Sequence, residues 1–183
     1  MDILKLIVES FWYLLPAYFA NMAPVFFSRM DFLNIPVDFG KKIRRKPIFG
    51  ANKTYRGFFF GILCAIAVSF LQLLAYKNVP YFERISLIDY SRTNLFVWGG
   101  LMGFGALFMD TIKSFFKRRA GIKPGRSWVP FDQLDYVVGA LLFTSIVLIL
   151  DWGHIITMIL LSVALHLITT FTGYYTGIRK SKI

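Results

Sequence analysis

The sequence predicts an all-α integral membrane protein with five transmembrane helices, its N-terminus outside and two long cytoplasmic loops. Three observations carry that expectation. Of 183 residues, 56% are hydrophobic and 18% aromatic, with a mean hydropathy of +0.57, which is more apolar surface than a soluble domain of this size buries. The apolar residues come in blocks of about 20, the length that crosses a bilayer core. Most of the 21 Lys and Arg residues fall in three segments that five spans would place on one side.

The first block covers about residues 3–27, and Pro16 and Pro24 are expected to bend or end it. Asp2 and Glu9 stand where a signal peptide would carry basic residues, so the block reads as a retained span. A polar segment follows over 28–56. The second block, about 57–76, reads GFFFGILCAIAVSFLQLLAY. It holds Cys64, the one cysteine, which excludes an intrachain disulfide and a cysteine-based metal site. A short connection leads to the third block, about 93–109. A second polar segment, 110–135, precedes blocks four and five, about 136–150 and 155–175, joined by DWGH. No internal repeat or low-complexity stretch divides the chain, so 1–183 reads as one membrane-embedded unit.

Charge orients the spans. Segment 28–56 carries Arg29, Lys41, Lys42, Arg44, Arg45, Lys46, Lys53 and Arg56. Segment 110–135 carries Lys113, Lys117, Arg118, Arg119, Lys123 and Arg126, and the tail carries Arg179, Lys180 and Lys182. Alternation puts all of these on one side and leaves Lys5, Lys77, Arg84 and Arg92 on the other. The positive side is cytoplasmic, so the expected localisation is the cell membrane, multi-pass, with the polar segments inside. The run KKIRRK could serve orientation alone, or touch anionic headgroups. With the charge confined to membrane-face loops and no nucleic-acid module present, no nucleic-acid partner is expected.

Three of the ten acidic residues, Asp110, Asp132 and Asp135, lie in the second polar segment. If the third and fourth spans pack antiparallel, these carboxylates converge at one membrane face. Hard oxygen donors of this kind suit Mg²⁺ held together with substrate phosphates. Between them lies KSFFKRRAGIKPGRSW, where cations could neutralise phosphate and Gly121 and Gly125 permit close backbone approach. These are parts of a phosphoryl- or nucleotidyl-transfer site. The alternative is structural: Asp132 and Asp135 capping a helix, and Asp110 paired with Lys113. The stretch FGANKTYRG adds Gly50, Lys53, Thr54 and Arg56 before a helix, without the second glycine of a Walker A loop. Asp38 in IPVDFGKK reads as a turn or a site element. Trp12, Trp98, Trp128 and Trp152 fall near span ends and read as interface anchors. His154 reads as a loop residue, and His166 as an intramembrane polar group.

The segments LPAYFANMAPVFFS, IPVDFGKK, FGANKTYRGFFFG and GFGALFMDTIKSFFKRRAGIKPGRSWVPFDQLDYVVGALLF resemble the CDP-archaeol synthases. They carry K-T-x-R-G, then D-x-x-K-S-F-x-K-R-R, then D-Q-x-D, in the family's order. That family is related to the phosphatidate cytidylyltransferases. The resemblance implies a five-span enzyme with a cytoplasmic-face site, Mg²⁺ as cofactor, and CTP and a lipid phosphate as substrates. CMP would pass to the lipid, an unsaturated diether phosphate in that family, with release of pyrophosphate. Carried onto this chain, it implies Asp110, Asp132 and Asp135 as catalytic and metal-holding residues, with Lys113 also catalytic. It implies substrate binding by Lys53, Thr54, Arg56, Ser114, Lys117, Arg118, Arg119 and Lys123. Met109 departs from the glycine common before the first motif aspartate. The alternatives are a CDP-diacylglycerol synthase-like enzyme acting on another lipid phosphate, and a non-enzymatic protein that binds anionic lipid. The D-x-x-D-G-x-x-A-R run of CDP-alcohol phosphotransferases is absent.

Overall fold

The computed structural model describes residues 2–122, 126 and 128–175, with side chains through 168. Among the described residues, six helices and one small hairpin follow in order: α1 (Ile3–Phe26), β1 (Lys42–Ile43), β2 (Lys46–Pro47), α2 (Tyr55–Asn78), α3 (Pro80–Arg84), α4 (Leu95–Arg119), α5 (Phe131–Thr144) and α6 (Trp152–Tyr175). Among the described residues, three of them, α1, α2 and α4, are long and apolar enough to cross a membrane. The expectation of five spans therefore meets three helices that satisfy length and composition. Helix α5 has 14 residues, about 21 Å of rise. The apolar run described for α6 is Trp152–Ile168.

Each start is set by local chemistry. Asp2 caps α1 by accepting from Leu4 N at 3.0 Å, and Asn94 caps α4 by accepting from Phe96 N and Val97 N. Thr54 caps α2, its Oγ1 accepting from Gly57 N at 3.2 Å. The remaining early N–H groups of α2 bond back to the loop, Tyr55 N to Ile35 O and Arg56 N to Leu33 O, which leaves none of them orphaned. Pro16 and Pro24 do not end α1, which runs through both to Phe26.

Two boundaries differ from the sequence reading. The third span was expected to close at Asp110, but α4 continues to Arg119. Asp110 pairs with Lys113 one turn on at 2.9 Å, Ser114 Oγ donates to Asp110 O, and three cations in the last turn suit the negative end of the helix dipole. The fourth helix begins at Phe131, ahead of the expected 136, and ends at Thr144.

The buried centre lies where α1, α4, α5 and α6 meet, around Tyr13, Leu14, Trp98, Met102, Val137 and Met158. Trp98 was expected at an interface; it is fully buried and stands edge-on to Tyr13, ring centroids 5.2 Å apart. Tyr13 Oη and Thr144 Oγ1 share a hydrogen bond of 2.8 Å, linking α1 to the end of α5. Large apolar side chains such as Leu63, Leu71, Phe96 and Leu160 face outward. That distribution suits a lipid surround.

Helices α4 and α5 touch at their backbones. A Cβ on Gly105 would collide with the carbonyl of Gly139, and one on Gly139 with the carbonyl of Gly105. This contact sets how close the polar ends of the two helices come.

The loop between α1 and α2 is tied down by one carboxylate. Asp38 is buried and accepts from Gly40 N (2.9 Å), Phe49 N (2.9 Å) and Gly50 N (3.1 Å). Burial acts to raise its pKa, but the backbone donors outweigh it and hold the carboxyl below the usual carboxylate range. At the hairpin tip, Arg44 (φ 49°) and Arg45 (φ 62°) both take left-handed backbone, costing about 1–2 kcal/mol each.

Two outcomes are expected. Gly139→Ala should force α4 and α5 apart and destabilise the protein by about 1–3 kcal/mol, read as a lower thermal midpoint in detergent. Asp38 is more acidic folded than unfolded, so its contribution is complete above about pH 4 and is lost as pH falls further. Amide protection at Phe49 and Gly50 should follow that course, and Asp38→Asn should weaken it by about 1–3 kcal/mol at neutral pH.

Candidate active site

One face of α4 and the first turn of α5 build a charged centre. Asp110, Lys113 and Lys117 recur on α4 at spacings of three and four, on a common stripe. Asp132 and Asp135 stand three apart at the start of α5. Lys113 Nζ lies among all three carboxylates: 2.9 Å from Asp110 Oδ1, 2.8 Å from Asp132 Oδ1, and in direct contact with Asp135 Oδ2. Lys53, from the loop before α2, pairs with the other oxygen of Asp110. Lys117 Nζ donates to both oxygens of Asp132, at 3.0 and 2.9 Å, and to Arg126 O at 2.7 Å. Three ammonium groups thus balance three carboxylates, and Lys117 and Asp135 are buried. A buried network of this kind persists because each charge is paired and hydrogen-bonded.

The aspartates are not helix caps. Pro130 occupies the N-cap of α5 and makes no side-chain cap bond. Asp132 Oδ2 instead accepts from Trp128 N at 2.6 Å, and Asp135 Oδ1 from Tyr136 N at 2.6 Å. These bonds orient the carboxylates toward Lys113.

Three spaces meet at this centre. A cavity of about 480 Å³ carries the polar groups of Asn21, Asn34, Asn52, Lys53, Arg56 and Asp110 among apolar neighbours such as Val25, Phe58 and Leu107. A smaller one of about 200 Å³ is lined by Asn52, Lys53, Lys113, Ser114, Lys117 and Arg118. The Lys53–Asp110 pair borders both. On the α4–α5 face, an apolar groove of about 540 Å³ runs past Met109, Phe116, Trp128 and Phe131 and reaches Lys113 and Asp135.

The residues singled out in the sequence have separate fates. Asp110, Asp132, Asp135, Lys53, Lys113 and Lys117 come together, with Ser114 and Arg118 on the smaller cavity. Thr54 lines the larger cavity and spends its hydroxyl on capping α2. Arg56 is buried, its Nη1 donating to Met30 O, with Nε unpartnered. Arg119 lies elsewhere: its guanidinium donates to Ile43 O (2.9 Å), Lys46 O (3.2 Å) and Pro47 O, and lies over the Phe115 ring. Lys123 lies outside the described residues. Sequence reasoning passed over Asn21, Asn34 and Asn52. Asn21, an amide inside an apolar run, was the available signal.

The donor set is chemically suited to a hard divalent cation. Three hard carboxylates aim at one point, and the Lys113 ammonium stands there as a surrogate positive charge. Among the described residues, no three His, Cys, Asp or Glu side chains are grouped to hold an ion as they stand. An ion shared by all three aspartates therefore requires Lys113 to turn aside.

Comparison with known proteins gives a consistent result. A family model described as CarS-like, CDP-archaeol synthase, matches residues 3–182. The chain is 36% identical to the CDP-archaeol synthase of Pyrococcus furiosus, over 92% of this chain and 93% of that one. It is 35% identical to the CDP-archaeol synthase of Methanocaldococcus jannaschii, over 96% of each. A solved structure, described as giving insight into an intramembrane enzyme for archaeal membrane lipids biosynthesis, superposes with a TM-score of 0.73 at 29% identity, covering 90% of this chain and 94% of that one. The chain belongs to the CDP-archaeol synthase family of membrane-lipid cytidylyltransferases.

Proposed function

We propose that the protein transfers CMP from CTP to a lipid phosphate of the unsaturated diether type, yielding a CDP-lipid and pyrophosphate. One observation carries the reading: a charge-balanced centre opens on one side to cavities that carry amide and cationic side chains and on the other to an apolar groove. A soluble nucleotide and a lipid headgroup need such a meeting point. The lipid's chain type rests on the family alone.

Asp110, Asp132 and Asp135 would hold Mg²⁺ once Lys113 turns aside, and the bound ion supplies charge neutralisation on the triphosphate oxygens. An oxygen of the lipid phosphate attacks the α-phosphorus of CTP, and the bond from that phosphorus to the pyrophosphate oxygen breaks. The nucleophile is already an anion near neutral pH, so no strong general base is required. Lys113, Lys117 and Arg118 border the smaller cavity, where they neutralise the departing pyrophosphate. Lys53 and Arg56 border the larger cavity, where they position phosphate charge. The apolar groove takes the first part of a lipid chain, and the rest remains in the bilayer.

The proposed topology is five spans with the N-terminus outside and the centre at the cytoplasmic face. It is supported by the basic segments 28–56 and 110–135, both of which flank the centre.

With labelled CTP, Mg²⁺ and a panel of diether and diester lipid phosphates, label should enter the lipid fraction; no labelled lipid from any member would end this reading. Asp110→Asn and Asp135→Asn should each lower kcat by about 100-fold or more, and activity within about threefold of wild type would count against their assignment. Val138→Trp, filling the groove, should raise KM for the lipid about tenfold, equivalent to about 1.4 kcal/mol, with KM for CTP unchanged.

A further inference from the structure

The hairpin between α1 and α2 takes no part in the centre, yet four of its six residues, 42–47, are cations. Lys41, Lys42, Arg44, Arg45 and Lys46 are all exposed. None forms an ion pair with a carboxylate among the described residues. Of the two acids in this loop, Asp38 has spent its oxygens on backbone N–H groups, and Asp31 forms no ion pair with these cations among the described residues.

The tip makes the charge more telling. Arg44 and Arg45 are the two central residues of a two-residue hairpin loop, and both have positive φ. Such a turn favours Asn and Gly and disfavours long side chains. Two arginines held there are strained, and strain in a surrounding that over-determines it points to function. The over-determination is visible: Arg119 grips three hairpin carbonyls, and Lys46 Nζ returns a bond to Arg119 O at 3.0 Å.

The same loop exposes large apolar side chains. Met30, Phe32, Ile35 and Phe39 are 44%, 52%, 47% and 64% exposed, and they lie between the end of α1 and the start of α2. Apolar groups beside fixed cations, at the ends of two membrane-length helices, match the boundary between hydrocarbon and headgroups.

We propose that this hairpin is a docking surface for anionic headgroups of the surrounding leaflet, with Lys42, Arg44 and Arg45 as the contacting cations. It holds bulk anionic lipid beside the centre, and its existence does not depend on which reaction the centre performs.

The test reads lipid retention, not turnover. Protein reconstituted with equimolar phosphatidylglycerol and phosphatidylcholine is extracted into mild detergent, and retained lipid is counted by native mass spectrometry. Wild type should retain phosphatidylglycerol in severalfold excess, and K42R/R44K/R45K should do the same. K42Q/R44Q/R45Q should lose the preference. R44N/R45G, which supplies the residues the turn favours, should melt higher than wild type and yet show reduced preference, separating headgroup binding from folding. Equal retention of both lipids by wild type, or an undiminished preference in R44N/R45G, would overturn the proposal. So would a raised KM for CTP in K42Q/R44Q/R45Q with lipid preference intact, because the cations would then belong to the nucleotide.

Discussion

The backbone contact between Gly105 and Gly139 governs the rest of the molecule. Side chains at that crossing would hold α4 and α5 apart. Without them, the helices approach closely enough for Asp110 on one and Asp132 and Asp135 on the other to reach a single ammonium group. Met109, one turn beyond Gly105, packs toward Gly139 and also borders the apolar groove. One crossing thus fixes both the charged centre and the groove beside it. In membranes, where water does not drive helices together, small residues at such crossings allow the packing and polar contacts that hold them.

The energetics of the centre favour definition over raw stability. Taking six charges out of water is costly, and mutual attraction offsets this only while each charge keeps its partners. Lys53 completes the arrangement from outside the α4–α5 pair. It reaches Asp110 because Thr54 starts α2 directly behind it, and because Val37 N bonds to Lys53 O at 2.8 Å. The loop acts as a third wall, positioned by backbone hydrogen bonds and the Asp38 carboxylate.

Much of this was legible in the sequence, for identifiable reasons. Apolar blocks and charge asymmetry report the solvent, and lipid leaves a strong signature. Carboxylates at Asp110, Asp132 and Asp135 stood out because acids are scarce in the chain. The limits had physical causes too. A change in composition at Asp110 was read as the end of a helix, but a helix can leave an apolar environment without unwinding, and α4 does so. Arg119 sits in a run of cations where composition cannot tell a phosphate ligand from a group that binds backbone carbonyls. Trp98 lies near a span end in sequence, but tertiary packing buries it against Tyr13. The left-handed backbone at Arg44 and Arg45 was invisible because local preference argues against it.

The grip of Arg119 on the hairpin bears on protein engineering. Three carbonyls of one segment depend on a guanidinium from another, and Phe49 meets Phe115 across the same joint. The loop and the last two turns of α4 form one inheritable module, split across distant stretches of chain. A chimera that exchanges the loop between relatives would have to carry Phe115 and Arg119 with it, or the transplanted segment would arrive without its anchor.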